Sequence, residues 1–361
     1  MIRADDATMA PTAVPPGARA TAALWSPGRI RVAAPARLHL GFLDPAATLG
    51  RRFGSVGLTV EGLETVVEIG RASRDAFDAF EGGGAALARA VEHLHVLRDA
   101  TRCHEPVHLA LRRAPPMHAG LGSGTQLALA TGRAFCGLFN LGLESTAIAA
   151  LLGRGVRSGV GIAAFDHGGL LLDGGPRADG SAAALLARIA MPSTWRVILA
   201  RDPRVQGLSG AGEKAALATL APLPHAVSAE ICHEVLMRLL PGAAAAEFEP
   251  FAAGVSHVQR LLGDHFAAAQ EGRRFTSAAV GTLVDWIGAN VPAGIGQSSW
   301  GSVGFAVVRS AEAARSVLAA AREAAVVDPA LGVSVTAPRN RGATVAVLRA
   351  GDAAAAADLC G

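Results

Sequence analysis

Apolar and polar positions alternate over Ile30–Ala34 and again over Leu38–Leu43, and this period of two predicts two short strands around Pro35. Within Pro35-Ala-Arg-Leu-His-Leu40 the alternation puts Arg37 and His39 on one face and Leu38 and Leu40 on the other, so the polar face either lines a site or meets solvent. Leu58–Val60 and Val66–Ile69 extend the pair into a meander. Helix periodicity appears over Ala85–Val96, with Leu87, Val91 and Leu94 on one face, and helix formers run from Leu127 to Leu138. Val107–Arg112 reads as a strand, Ser145 as the cap of a short helix Ala147–Leu152, and Leu170–Leu172 as a strand closed by the turn Asp173-Gly-Gly. Residues 176–190 read as an exposed connection.

A second unit begins with the strand Trp195–Ala200. Helices follow over Ala211–Leu220, Ala226–Leu240, Ala245–Ala269 and Ala278–Ala289, then a strand Phe305–Val308, a helix Ala311–Ala325 and strands Val333–Thr336 and Ala343–Leu348. Helices packed on one side of such a sheet imply an α+β class. The expected organisation is a disordered extension over residues 1–26, an N-terminal domain over 27–190 and a C-terminal α+β domain over 191–361, frayed from Asp352.

Three loops break this periodicity. Ala114-Pro-Pro-Met-His-Ala-Gly-Leu-Gly-Ser-Gly-Thr-Gln126 sits between a strand and a helix, an order that aims backbone N–H groups and a helix N-terminus at one point and suits a phosphate. Gly153–Gly169 carries Arg154, Arg157 and Ser158 among glycines. Ile295–Phe305 carries Gln297, Ser298, Ser299 and Trp300. A further loop is flanked by Asp44 and Arg51, with Arg52 able to serve in place of Arg51. Asp44, Asp166 and Asp173 are candidate Mg²⁺ ligands or bases.

Composition narrows the chemistry. Lys214 is the only lysine among 33 basic residues, so a Walker-type lysine and Schiff-base chemistry are nearly excluded, while arginine forks suit phosphate and carboxylate. A net charge of +3, with no basic block interleaved with aromatics, argues against nucleic acid. No apolar run is long enough to span a membrane, and the N-terminus does not read as a secretory signal. The 4 scattered cysteines fit a reduced, cytoplasmic protein, and His93-x-His95 with Cys103-His104 and His108 matches no standard zinc spacing. The residues alone lead to a cytoplasmic enzyme acting on a multiply phosphorylated small molecule, with Mg²⁺.

Pro116-x-x-x-Gly-Leu-Gly-Ser-Gly124 resembles the second motif of the GHMP small-molecule kinases, and departs from it at Gly124, Thr125 and Gln126. The closer resemblance is to a non-kinase branch, the β-ribofuranosylaminobenzene 5′-phosphate synthases. Four stretches carry it: Pro35–Leu40, Gly120–Gln126, Arg154-Gly-x-Arg-Ser-Gly-x-Gly-x-Ala-x-Phe-x-x-Gly-Gly169, and Gly296-Gln-Ser-Ser-Trp-Gly301, spanning about residues 28 to 350. The resemblance implies a two-domain GHMP-kinase-like fold, with an N-terminal ribosomal S5-like domain and a C-terminal ferredoxin-like domain.

It also implies an early step of tetrahydromethanopterin biosynthesis. Phosphoribosyl pyrophosphate (PRPP) condenses with 4-aminobenzoate or 4-hydroxybenzoate and loses CO₂ and pyrophosphate. On that basis Asp44 is expected at a metal or the ribose and Arg51 at a phosphate. Arg154 and Arg157 are expected at the 5′-phosphate or the benzoate carboxylate, Arg37 and His39 facing the aromatic acid, and Trp300 stacked on its ring. Gly120, Gly122, Ser123, Gly124, Thr125 and Gln126 would hold phosphate, with Ser158, Gln297, Ser298 and Ser299 completing the substrate contacts. An ATP-dependent GHMP kinase and a non-catalytic binding protein on the same fold are the alternatives. The sequence leaves open which benzoate is used and whether the chain is a monomer or a homodimer.

Overall fold

The computed structural model describes residues 28–207, 215–216 and 219–348. The expected N-terminal extension, most of the helix expected over Ala211–Leu220 and the tail from Asp352 lie outside the described residues.

One long antiparallel pair forms the backbone of the first sheet: β1 (Arg29–Asp44) and β2 (Phe53–Arg71). Pro35 does not divide β1 in two. The ladder slips at Ala34/Ala36 instead, so the ring, which has no N–H to donate, sits at an irregularity inside one continuous strand. A second slip falls between His39 and Gly41. There Gly41 takes φ 138°, and a Cβ would lie 2.3 Å from Leu262 Cδ1, so only glycine fits. β3 (Ala76–Ala79), β4 (Val107–Arg113), β5 (Leu170–Asp173), β6 (Leu185–Ile189) and β11 (Thr344–Leu348) complete a 7-stranded sheet. β6 lies in the stretch expected to be a plain connection; its residues are mostly exposed, which removes the apolar alternation that marks a strand.

Helices α1 (Gly84–Thr101), α2 (Ser123–Leu138), α3 (Ser145–Leu151) and α4 (Val160–Asp166) pack on this sheet. α2 is buried nearly all round, as a helix at the centre of a core must be. Ser145 is not the cap of α3, whose N-cap is Glu144. Its hydroxyl accepts from Arg133 and donates to Asp166 at 2.6 Å. α4 lies within the Arg154–Gly169 loop, where the glycines masked the helical run.

The second sheet has the order β10-β7-β9-β8, built from β7 (Arg196–Arg201), β8 (Gly294–Gln297), β9 (Val303–Val308) and β10 (Gly332–Thr336). Between β7 and β8 run α5 (His225–Glu234), continued by a π-turn Val235–Leu239 and a short helix Leu240–Ala244, then α6 (Phe248–Phe266) and α7 (Ala278–Asn290). α8 (Ala311–Glu323) joins β9 to β10. Both faces of this sheet are covered. Val197, Leu199, Phe305 and Val307 join a core with Leu38, Leu40 and Leu58 of the first sheet, whereas Ile198, Ala200, Ala306 and Val308 pack under α7 and α8.

The last strand departs from the expected tail of the second unit. β11 returns to the first sheet and pairs antiparallel with β1, from Arg29↔Leu348 to Ala33↔Thr344. The return is held by Arg339, 1% exposed, which donates to Glu61, Glu64 and the Arg341 and Gly342 carbonyls. No helix among the described residues is long and apolar enough to cross a membrane.

Candidate active site

Where β1, the start of α2 and the loop after β8 meet, three backbone segments approach closely enough to exclude side chains. Gly120 (φ 92°) and Gly122 (φ 71°) turn the chain into α2, with Gly122 as its left-handed N-cap. A Cβ on Gly120 would lie 2.3 Å from the Ser298 carbonyl oxygen, and one on Gly301 would lie 2.2 Å from that of Ala119. Ser298 fastens the junction. Its hydroxyl accepts the His39 N–H at 2.9 Å and donates to the Gly120 carbonyl at 2.6 Å, while Ser299 N–H donates to the His39 carbonyl at 3.3 Å.

A cleft of about 670 Å³ opens over the start of α2. Arg37, Arg89, Arg154 and Arg157 line it, together with Ser123, Gly124, Thr125 and Ser158. The Arg37 side chain lies against Gly122, 3.0 Å from where a Cβ would stand, and the Arg154 guanidinium lies 3.7 Å from the same point on Gly124. The two arginines therefore flank the helix N-terminus. Burial and the neighbouring Arg89 lower the Arg154 pKa, and its buried Nε has no hydrogen-bond partner. No carboxylate lines the cleft among the described residues. Four guanidiniums brought this close repel one another, even with Arg89 paired to Glu92 at 3.1 Å, and a bound polyanion relieves that repulsion.

A smaller chamber of about 410 Å³ adjoins the cleft and shares His39, Phe42, Ser299 and Trp300 with it. Leu262, Phe266, Phe275 and Ile295 give it apolar walls, and Arg238, Arg260, Arg274 and Asp285 also line it. The imidazole of His39 is buried, and its pKa lies well below the usual histidine value because of burial and then the charges of Arg37 and Arg157. It is neutral at physiological pH.

Residues 85–169 match the family model for the GHMP kinases N terminal domain. Over 328 residues the chain is 30% identical to the beta-ribofuranosylphenol 5′-phosphate synthase of Methanothermobacter thermautotrophicus, an overlap covering 86% of this chain and 96% of that protein. The protein of the same name from Archaeoglobus fulgidus is 34% identical over 244 residues, covering 64% of this chain and 76% of its own. The chain belongs to the beta-ribofuranosylphenol 5′-phosphate synthase family. Solved structures share its fold. Lactococcus lactis galactokinase complexed with galactose superposes with a TM-score of 0.65 at 13% identity, covering 88% of this chain and 95% of that one. Streptococcus pneumoniae phosphomevalonate kinase gives 0.63 at 12%, covering 86% and 100%. At such identities the likeness is one of fold.

In this member of the synthase family, the structure gathers most of the residues singled out from sequence. Arg37, His39, Gly120, Gly122, Ser123, Gly124, Thr125, Arg154, Arg157, Ser158, Ser299 and Trp300 all line the cleft, and Gln297 lines the adjoining chamber. Others have a structural role. Ser298 is fully buried as the junction pin, and the Gln126 amide turns inward to donate to the Gly161 carbonyl at 2.8 Å. Trp300 packs against a protein ring, that of Phe266, with centroids 4.6 Å apart and the planes tilted by 46°.

Asp44 and Arg51 are not brought to the cleft. The Asp44 carboxylate is buried in its own loop, accepting from Ala46 N–H at 3.2 Å, Leu49 N–H at 2.6 Å and the hydroxyls of Thr48 and Ser228. Burial works to raise its pKa, but those hydrogen bonds, led by Leu49, hold it below the usual carboxylate value. Arg51 is exposed and lines neither cavity. Asp173 is a buried hub taking Ser55 Oγ and the N–H groups of Gly159, Val160 and Gly175, and exposed Asp166 accepts from Ser145. Among the described residues no group of three or more His, Cys, Asp or Glu is placed to hold a metal ion. Sequence reasoning missed Arg89, which α1 carries to the cleft rim beside Glu92, and the apolar chamber itself.

Proposed function

We propose that this protein condenses PRPP with 4-hydroxybenzoate or 4-aminobenzoate, releasing CO₂ and pyrophosphate, and so forms a C-riboside 5′-phosphate for tetrahydromethanopterin synthesis. The observation that carries the reading is the cleft of four guanidiniums at a helix N-terminus, with no carboxylate in its described lining. PRPP brings a pyrophosphate and a monophosphate on one small sugar, and a charge-assisted hydrogen bond to each contributes about 1.5–3 kcal/mol. The name of the curated relatives, a ribofuranosylphenol, favours 4-hydroxybenzoate.

The chemistry follows from charge. As the bond from ribose C1 to the pyrophosphate oxygen breaks, the leaving group takes the electron pair and positive charge develops on the sugar. Guanidiniums fixed around the pyrophosphate stabilise that separation without reorganising. The ring carbon bearing the carboxylate bonds to C1, the bond to the carboxylate carbon then breaks, and its electron pair restores aromaticity as CO₂ leaves.

The described cleft residues do not form a set of metal ligands. Mg²⁺ is therefore proposed as a companion of the substrate pyrophosphate, and no step above is routed through it. Phosphoryl transfer from ATP, the reaction of many proteins with this fold, needs protein oxygens for Mg²⁺ and a group to orient the attacking alcohol; a lining without a carboxylate suits that less well.

The test supplies Mg²⁺, PRPP and carboxyl-labelled 4-hydroxybenzoate or 4-aminobenzoate to the pure protein and measures labelled CO₂. Release dependent on PRPP is expected. No release with either acid, together with ADP formation from ATP and a small alcohol, would overturn the reading in favour of a kinase.

A further inference from the structure

The chamber beside the cleft has a polar inventory that is mostly spent: Arg238 is paired with Glu234, Arg260 and Arg274 with Asp264, and His257 with Glu230. Gln259 donates to the Leu40 carbonyl and accepts from Gln297 N–H; Gln297 donates to Gln270 and the Ser299 carbonyl; Ser256 is bonded to Ala293 and Ile295. Two lining side chains differ. His39 Nε2 and Trp300 Nε1 are buried, in residues only 4% and 2% exposed, and neither atom has a hydrogen-bond partner. A buried N–H left unmet is destabilising, and a ligand acceptor would relieve it. Both residues line the wall that the chamber shares with the phosphate cleft.

The reaction chemistry fixes which end of the aromatic acid meets that wall. The ring carbon that attacks ribose C1 carries the carboxylate, and the ribose lies on the phosphate side. The carboxylate end must therefore face the shared wall, with the para substituent deeper in the chamber. We propose that the apolar chamber seats the benzoate ring, and that His39 Nε2–H and Trp300 Nε1–H hold its carboxylate as uncharged donors. This assignment rests on the condensation proposed above.

Uncharged donors suit a group that must be lost. A guanidinium would stabilise the carboxylate most while it is still a carboxylate and so oppose its departure. Two neutral N–H groups, set among Phe42, Leu262 and Phe266 with the chamber's arginines already paired to carboxylates, orient it while solvating it poorly, and the neutral CO₂ is released at less cost. Arg37 and Arg157, with burial, keep His39 in that uncharged form.

Three variants test the seat in the labelled-CO₂ assay, read as the KM for 4-hydroxybenzoate, the KM for PRPP and the inhibition constant of phenol, which has the ring but no carboxylate. Trp300→Phe keeps the ring and removes the donor; His39→Leu removes the other. Each is expected to raise the benzoate KM about tenfold or more, to leave the PRPP KM within about twofold, and to leave phenol inhibition nearly unchanged; His39→Gln, which restores an N–H, recovers part of the loss. Ala253→Trp, at an exposed position on the chamber wall, is expected to weaken benzoate and phenol together. A rise in the PRPP KM alone for the His39 and Trp300 variants, or unchanged benzoate and phenol constants in Ala253→Trp, overturns the seat while turnover by the wild type leaves the condensation standing. Absence of wild-type turnover overturns both.

Discussion

The Ser298 hydroxyl donates to the Gly120 carbonyl at 2.6 Å from a side chain with no exposed surface. Through it the loop after β8 sets the position of the loop before α2. Ser298→Ala leaves the Gly120 carbonyl and the His39 N–H without their partner. It is expected to cost about 1–3 kcal/mol in urea unfolding and to raise the KM for PRPP, although Ser298 lines neither cavity.

Gly120→Ala tests the same junction from the other side. The residue has φ 92°, and the new methyl would meet the Ser298 carbonyl oxygen at 2.3 Å. The backbone must move to admit it. The expected result is a loss of kcat/KM for PRPP of about a hundredfold, or about 2.7 kcal/mol of transition-state stabilisation, checked by steady-state kinetics beside circular dichroism showing a folded chain.

Arg154 reports on the polyanion. Arg154→Ala is expected to weaken PRPP by about tenfold to a hundredfold, the worth of one charge-assisted contact. Arg154→Lys recovers only part of this, since an ammonium cannot reproduce the planar fork. Pyrophosphate inhibition measured at rising salt gives the independent check: the variant's affinity is expected to fall less steeply with ionic strength than the wild type's.

Much of this site was legible because its signals are local. The period of two around Arg37 and His39 placed both on one face, and the structure puts both in the cleft. Glycines at positions needing positive φ marked the turn into α2. The rest depended on tertiary contacts that no local pattern encodes. Arg89 reads as one more charge on a helix face, and only the packing of α1 decides that it reaches the cleft. Ser298 and Gln126 have the residue types of ligand contacts, yet close approach of neighbouring backbones turns them inward. Asp44 has the residue type of a metal ligand at the start of a loop, and its oxygens accept from the Ala46 and Leu49 N–H groups of that loop. The chamber is lined from β1, α6, α7, β8 and the loop that follows β8, which no window of sequence brings together.

His93, buried near Arg154 and Arg89, gives a pH signature. Burial first, then those two guanidiniums, push its pKa down from 6.5 to about 4. The folded state therefore binds fewer protons than the unfolded chain between those values, so its stability is full above the unfolded pKa and falls as pH drops towards 4. The loss across that window is expected to be roughly 3 kcal/mol. His93→Phe is expected to flatten this limb of the stability curve, measured by urea unfolding at successive pH values, and a wild-type-like slope in that variant would assign the limb to other groups.

The pairing of β11 with β1 has a consequence for how the chain is made. Arg29 to Ala33 find their neighbours only at Thr344 to Leu348, and the buried Arg339 that anchors the return to Glu61 and Glu64 is also late in the chain. During synthesis, which delivers the N-terminus first, the outer edge of β1 stays open while the whole of the second sheet is being translated. The first sheet is thus begun early and closed last. An early release or truncation before residue 348 leaves a bare edge on β1 able to pair with another chain.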